Sequence, residues 1–401
     1  MTPRILFVDD EAEVLEGLKV RLRQKRQQWK MSFARGAKEA LDLLAQEPFS
    51  IVVSDLRMPE MDGATLLQEI RRRYPATSRV ILSGHGEERL VMRAMACSHE
   101  FLPKPSPAGV LESTLERISA FQDVVQDVQV REAVGRIGSL PAQPAVYTKL
   151  MTALADQDTS PEAVAAILLA DSSLCAQLLH IVNSAYFRLS RPIIKVEEAV
   201  LYLGLGTVRQ LALVAEVFQD SDAKASVLGV STQRLQEHSF LTAGIASAIL
   251  SGYPRRELGF IAALLHDVGK LIIATQLPDR AKKIADRMRE RNEPMEASER
   301  ALFGTTHAEI GGYLLGLWQL PFPIVEAVTH HHSPSRLKPD QLDVVVAVHV
   351  ANYLAHEQAA LAGDAAVENS AHLDLRLLQE LGVEVNLNEW RSLAKAHAEK
   401  R

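Results

Sequence analysis

The 401 residues carry 44 Lys and Arg against 50 Asp and Glu, a net charge of −6, with 47% apolar and 23% charged residues. This is the balance of an ordinary soluble protein with room for two or three cores. It argues against a nucleic-acid binder, which would show a basic domain or stripe; Arg71-Arg72-Arg73 reads as a solvated helix face. Cys97 and Cys175 sit far apart with no ligand-like spacing, which predicts a reduced cytoplasmic setting. No signal-peptide layout is visible, and no uninterrupted apolar run approaches about 18 residues, so no membrane span is expected.

Short apolar runs at Arg4 to Val8, Met31 to Ala34, Ser50 to Val53, Arg79 to Leu82 and Glu100 to Leu102 predict strands. Amphipathic stretches at 11–26, 37–46, 63–73 and 86–96 predict the helices between them, and a fifth begins near Pro107. Strands alternating with helices imply an α/β unit, a five-stranded parallel sheet covered on both faces. In such a sheet the carboxyl ends of the strands converge on one edge, where ligands bind. Asp9 and Asp10 follow the first strand, Asp55 the third, Ser83 the fourth and Lys104 the fifth. Three carboxylates on one edge repel each other and call for a divalent cation, and oxygen ligands of this kind suit Mg²⁺. Asp55 is then a nucleophile candidate, since a carboxylate can take a phosphoryl group. Lys104 would pair with the remaining phosphoryl oxygens, and the Ser83 hydroxyl would donate to the same group. Pro59 stops an immediate helix, and Asp62-Gly63 turns the chain into the next one.

With Asp9-Asp10, the run Asp55-x-x-Met58-Pro59-x-x-Asp62-Gly63, Ser83 and Lys104-Pro105 all in place, residues 1–120 resemble the receiver domain of two-component response regulators, a flavodoxin-like fold. The resemblance implies that a sensor histidine kinase phosphorylates Asp55. It also implies that Mg²⁺ is held by Asp10, Asp55 and the backbone carbonyl of Arg57, with Asp9 in support. The same family couples the serine position to an aromatic three residues before the lysine, here Phe101, which would turn inward and alter the neighbouring face.

The fifth helix has no obvious stop. Leu111, Leu115, Ile118, Phe121, Val125 and Val128 recur at intervals of three and four, which predicts a connector helix over 107–135. Its stripe could pair with a second copy of the chain, making a homodimer through the receiver face and connector, or pack on the protein's own second domain. Gly135, Gly138 and Pro141 then mark a boundary.

From about 136 to 335 the pattern is helical throughout. Ser160-Pro161-Glu162 opens one helix, Asp171 caps another, and Gly204-Leu205-Gly206 breaks two apolar helices. Ligand-type residues begin at His238 and continue with His266-Asp267, His307 and His330-His331-His332. Adjacent His and Asp inside an apolar helix are costly to bury unless a metal, a hydrogen bond or a charge satisfies them. Imidazoles with a carboxylate suit a divalent transition metal, which would activate water against a phosphoester.

This pattern, with Leu140-Pro141, Gln143-Pro144, Leu178 to Phe187 and Ala199 to Gly206, resembles the HD superfamily of metal-dependent phosphohydrolases and, within it, the HDOD output domain. The resemblance implies His238, His266 and Asp267 as metal ligands and Lys270 as a phosphate contact. It places His307, His330 and His331 where related enzymes bind a second metal or substrate. Two departures stand out. Asn352 occupies the place of the late aspartate that closes an HD metal site, and the Gly-Tyr-Pro run of cyclic-di-GMP hydrolases does not follow the histidines. HDOD domains generally act through protein contacts. The expectation is therefore a response regulator with an all-α HD-like output that binds a protein partner, the alternative being a phosphorylation-regulated metal-dependent phosphohydrolase. A transcription factor would need a basic recognition element that is absent. Residues 336–401 form a C-terminal helical extension with no motif that carries chemistry.

Overall fold

The computed structural model describes residues 2–83, 94, 97–104, 109–124, 127–136, 149–150, 152–154, 159–183, 189, 191–217, 232–318, 320–361 and 372–399. Strands β1 (Arg4–Val8), β2 (Lys30–Ala34), β3 (Ile51–Asp55), β4 (Ser78–Ser83) and β5 (Glu100–Pro103) form one parallel sheet in the order β2-β1-β3-β4-β5. Alternate side chains enter opposite cores, as the two-residue period of a strand requires. Ile5, Phe7, Val53, Val80 and Leu82 face one, while Leu6, Val8, Val52 and Ile81 face the other. Helices α1 (Ala12–Arg21), α2 (Ala37–Gln46) and α3 (Gly63–Arg73) connect the strands.

The first helix is shorter than its sequence pattern. After Leu22, fully buried, the chain tightens into a 3₁₀ turn over Arg23–Gln27, where Lys25 N–H bonds Leu22 O three residues back. Of the stretch expected as a helix at 86–96 only Ala94 is described, in helical conformation.

The connector is not one helix. α4 (Val110–Val124) ends, and α5 (Val128–Arg136) starts afresh on Asp127, whose Oδ1 accepts from Gln129 N at 2.9 Å and Val130 N at 3.3 Å. An Asp followed by apolar residues at helical spacing is an N-cap signal that the longer periodicity masked. Leu111, Leu115 and Ile118 are buried, and α4 packs on α14 (His307–Leu317) of the protein's own helical unit. Within the chain these three residues are covered, while Val128 is 52% exposed. Gly135, one of the residues expected to mark a boundary, is buried in α5, where a Cβ would overlap the Pro75 carbonyl, so only glycine lets this helix approach the sheet unit. Gly138, Pro141, Gln143-Pro144 and Ser184 to Phe187 lie outside the described residues.

The helical unit contains α6 (Pro161–Leu169), α7 (Ser172–Val182), α8 (Val196–Val217), α9 (Thr232–Ile249), α10 (Arg256–Leu265), α11 (Val268–Gln276), α12 (Pro278–Arg291), α13 (Met295–Phe303), α14, α15 (Phe322–His330) and α16 (Val344–Leu361). Ser160 caps α6, Asp171 caps the turn into α7, and Gly204 at φ 74° kinks α8. Taken as one 21-residue stretch, Arg256–Gln276 is long and apolar enough to cross a membrane, which departs from the expectation based on uninterrupted runs. It is mostly buried inside the helical unit, and His266-Asp267 split it into α10 and α11. In the extension, α17 (Leu375–Glu380) and α18 (Leu387–Glu399) follow. Trp390 and Ala394 of α18 are buried where it packs on α9 and α16.

Candidate functional site

Two clusters of titratable side chains stand out, one in each unit. In the first, Asp9 and Asp55 are 1% and 7% exposed at the carboxyl ends of β1 and β3. Lys104, just past β5, bonds Asp9 Oδ2 at 2.7 Å and contacts Asp55 Oδ1. Burial raises the Asp55 carboxyl above its ordinary range despite Lys104, and Asp9 adds to the rise. Burial would lower Lys104, but its bonds to Asp55 and Asp9 raise it instead. One ammonium between two buried carboxylates, with Asp10 half-buried on the adjoining turn, leaves negative charge that a divalent cation fits.

The loop after β3 is shaped around Asp55. Glu60 adopts a positive φ of 65°, Asp62 caps α3 through Thr65 N at 2.7 Å, and Gly63 N bonds Leu56 O at 2.9 Å. A Cβ on Gly63 would overlap the Asp55 carbonyl, which explains the glycine after Asp62. The Arg57 backbone bonds the Asp55 carboxyl. Ser83 closes β4 opposite Pro103, and Phe101 lies in β5 opposite Ile81; the backbone alone places these two.

The second cluster is assembled from helix ends. His266 and Asp267 occupy the break between α10 and α11, not a helix interior as the sequence suggested. Asp267 is the hub. Its Oδ2 lies 3.3 Å from His266 Nε2, 3.9 Å from His238 Nε2 and 2.7 Å from Lys270 Nζ. Its Oδ1 lies 3.4 Å from His307 Nε2 and 3.9 Å from His331 Nε2. The ring orientations are fixed from behind: His266 Nδ1 bonds Ala263 O at 2.7 Å and His331 Nδ1 bonds Val328 O at 2.8 Å. Those bonds direct both Nε2 atoms inward, where they are buried with no hydrogen-bond partner among the described residues.

Two triads could each hold an ion: His238, His266 and Asp267, and His307, His331 and His332. Burial, followed by the neighbouring imidazoles, pushes His331 and His332 well below the usual histidine range. Burial and then His266 bring His238 down to about 3. The neutral imidazole is the form that binds metal, and the Nδ1–H bonds of His266 and His331 leave their Nε2 lone pairs facing inward. Asp267 stays ionised against burial because His266 and Lys270 flank it. His307 differs: burial would lower it, but Glu299, then Asp267, raise it to about 9.

A response regulator receiver domain family model matches residues 5–116, and an HDOD domain model matches residues 140–334. The chain joins a response-regulator receiver domain to an HDOD domain. It is 26% identical over 211 residues to an uncharacterized protein of Treponema pallidum (strain Nichols), a match over 51% of this chain and 40% of that one. It is 36% identical over 109 residues to the response regulator protein PilR of Pseudomonas aeruginosa, over 27% and 24% of the two chains. The chain therefore spans less than half the length of these relatives. Among solved structures, the MmoQ response regulator from Methylococcus capsulatus (strain Bath) aligns with 63% of this chain and 98% of its own, at 21% identity and a TM-score of 0.48.

Within the helical unit, the structure brings together His238, His266, Asp267, Lys270, His307 and His331 with Asn352, which lies beyond the residues of the HDOD match. It does not bring in His330. That residue ends α15, is half-buried near Arg336 and Glu309, and gives its expected place to His332, whose Nε2 is 3.0 Å from His307 Nε2. His332 was named with its neighbours in the sequence but given no role, and two further residues were not singled out. His356 is one, one turn beyond Asn352 on α16, with its ring 4.3 Å from that of His238. Glu299 is the other: its Oε2 accepts from His307 N at 3.0 Å and lies 2.8 Å from His307 Nδ1. The i, i+4 spacing of Asn352 and His356 was the one available signal; nothing local marks Glu299.

Proposed function

We propose that the chain is the receiving end of a two-component system, in which a sensor histidine kinase phosphorylates Asp55 and the receiver state sets the affinity of the HDOD domain for a protein partner. The observation that carries the first half is Lys104 bridging Asp9 and the buried Asp55 at the carboxyl edge of the sheet. An Asp55 oxygen attacks phosphorus as the P–N bond to the kinase histidine breaks, and the departing imidazole takes up a proton. Lys104 then exchanges its contact with the free carboxylate for one with a phosphoryl oxygen. Mg²⁺, held by Asp10, Asp55 and the Arg57 carbonyl, would supply charge neutralisation for the remaining oxygens. Incubation with acetyl phosphate and Mg²⁺ tests the assignment. Asp55→Asn should abolish the phosphorylated species, and labelling that persists in this variant would refute it.

An interaction output is favoured by Asn352, whose Oδ1 lies 2.9 Å from His238 Nε2 and offers no charge to a cation there. A second reading, a metal-dependent phosphohydrolase, is favoured by the unpartnered Nε2 atoms of His266 and His331 facing Asp267. There His238, His266 and Asp267, with His307, His331 and His332, would hold a divalent transition metal. The metal would supply Lewis-acid activation of water, and Lys270 would contact a phosphate. Elemental analysis of the purified protein separates the two. Near-stoichiometric metal that is lost in His266→Ala/Asp267→Ala supports the second; no metal in either leaves the partner-binding output.

A further inference from the structure

Helix α14 begins in the histidine cluster and ends against the receiver. His307 is its first residue, and a capping box of Thr306 and Glu309 fixes that end. A Cβ on Gly269, two residues past Asp267, would overlap the His307 carbonyl, and one on Gly312 would overlap Thr329. With backbone this close to α11 and α15, α14 cannot slide without moving the residues that face Asp267.

Further along the helix, Tyr313 is 2% exposed and its hydroxyl is hydrogen-bonded to the Ser78 side chain. Ser78 is the first residue of β4, the strand that ends in Ser83. About 14 Å from His307 along the helix axis, the Gly316 carbonyl accepts from Arg117 Nη1 at 3.2 Å. The other arm of that guanidinium is held at 2.8 Å by Glu100, buried at the start of β5 and adjacent to Phe101. The receiver therefore grips α14 through the two strands that lead to the phosphoacceptor edge.

We propose that α14 couples the two sites, so that ligation of the histidine cluster and occupation of Asp55 shift one shared equilibrium in the seating of α14 on β4, β5 and α4. This rests on the readings of Asp55 as phosphoacceptor and of the cluster as a metal site. Linkage makes the effect reciprocal: each ligand changes the affinity of the other by the same factor.

The test uses the full chain, Zn²⁺ for the cluster, and beryllofluoride with Mg²⁺ as the phosphoryl mimic at Asp55. Zn²⁺ affinity with and without beryllofluoride should differ by about fivefold or more. Tyr313→Phe, which removes only the hydroxyl, and Arg117→Lys, which keeps a charge for Glu100 but cannot also reach Gly316, should bring that factor towards one while Zn²⁺ alone still binds. Equal affinities, or a factor unchanged in both variants, overturn the proposal. Hydrogen exchange with each ligand alone separates failure of the coupling from failure of either reading. Beryllofluoride should change protection over residues 305–318, and Zn²⁺ should change it over 78–83 and 100–104. If Zn²⁺ does not bind, the metal reading falls and altered exchange at 305–318 still supports coupling. Exchange changes confined to each ligand's own domain, or binding of neither, overturn it.

Discussion

Asn352 Oδ1 lies 2.9 Å from His238 Nε2, which is itself 3.9 Å from Asp267 Oδ2. An amide there satisfies the imidazole in the metal-free protein but gives a cation no charge. Asn352→Asp supplies that charge without changing the side-chain volume. Zn²⁺ binding should tighten by about tenfold or more, measured by competition with a chromophoric chelator, and His266→Ala should remove the binding altogether. An unchanged affinity in Asn352→Asp would mean that this position does not face the ion.

Glu299 supports His307 from the side away from Asp267, accepting from its amide and facing Nδ1. Glu299→Gln keeps the shape but loses the charge that holds the ring and raises its basicity. Zn²⁺ affinity should fall by about 10- to 100-fold, with secondary structure unchanged by circular dichroism.

Arg79 is 1% exposed, and no carboxylate among the described residues is a hydrogen-bond partner of its side chain. Its donors go instead to backbone carbonyls: Cys97 O, Thr77 O at 3.1 Å and, across to α5, Gly135 O at 2.7 Å. Burial lowers this guanidinium to about 9, so the cation is held at a cost. Removing it relieves that cost but orphans three buried carbonyls, each worth about 1–3 kcal/mol. The orphaned carbonyls should dominate. Arg79→Met should lose about 3 kcal/mol of stability in urea unfolding.

Acid should loosen the junction between the domains. His99, 2% exposed, accepts the Arg79 amide N–H on Nδ1 at 3.0 Å, with Nε2 3.0 Å from the Arg79 guanidinium, and an imidazolium could not accept that amide bond. Burial first, then Arg79, His180 and Arg71, hold His99 well below the usual range, and burial brings His180 to about 4 against Trp318 O. Both are neutral when folded and bind protons near pH 6.5 when unfolded, so the unfolded state takes up more protons as pH falls. Their stabilisation is complete above about pH 6.5 and is lost towards pH 4, by up to about 1.4 kcal/mol per pH unit for each group. Urea midpoints between pH 7.5 and 4.5 should fall accordingly, and His99→Gln should flatten the slope.

Much of the receiver was legible in the sequence because its signals are local. A buried parallel strand is a short apolar run, and the order of such runs puts Asp9, Asp55 and Lys104 on one edge whatever the packing details. Likewise Ser160, Asp171 and Gly204 mark their turns by chemistry that acts within four residues. The long stripe from Leu111 to Val128 misled because periodicity carries through a break, and Asp127, bonded to Arg280 at 2.8 Å, caps a new helix at Val128.

What the sequence determined by itself was an α/β receiver with its acids and lysine in register, a helical domain, and the residue types of a histidine-aspartate cluster. Tertiary structure decided which side chains meet. Three consecutive histidines cannot reveal that His331 and His332 turn inward while His330 turns towards Arg336, since that follows from where α15 stops. Nor can Glu299 be paired with His307, or Tyr313 with Ser78, from spacing alone. The first spans the turn from α13 into α14 and the second joins segments far apart in the chain, with α14 held by close glycine packing on α11 and α15.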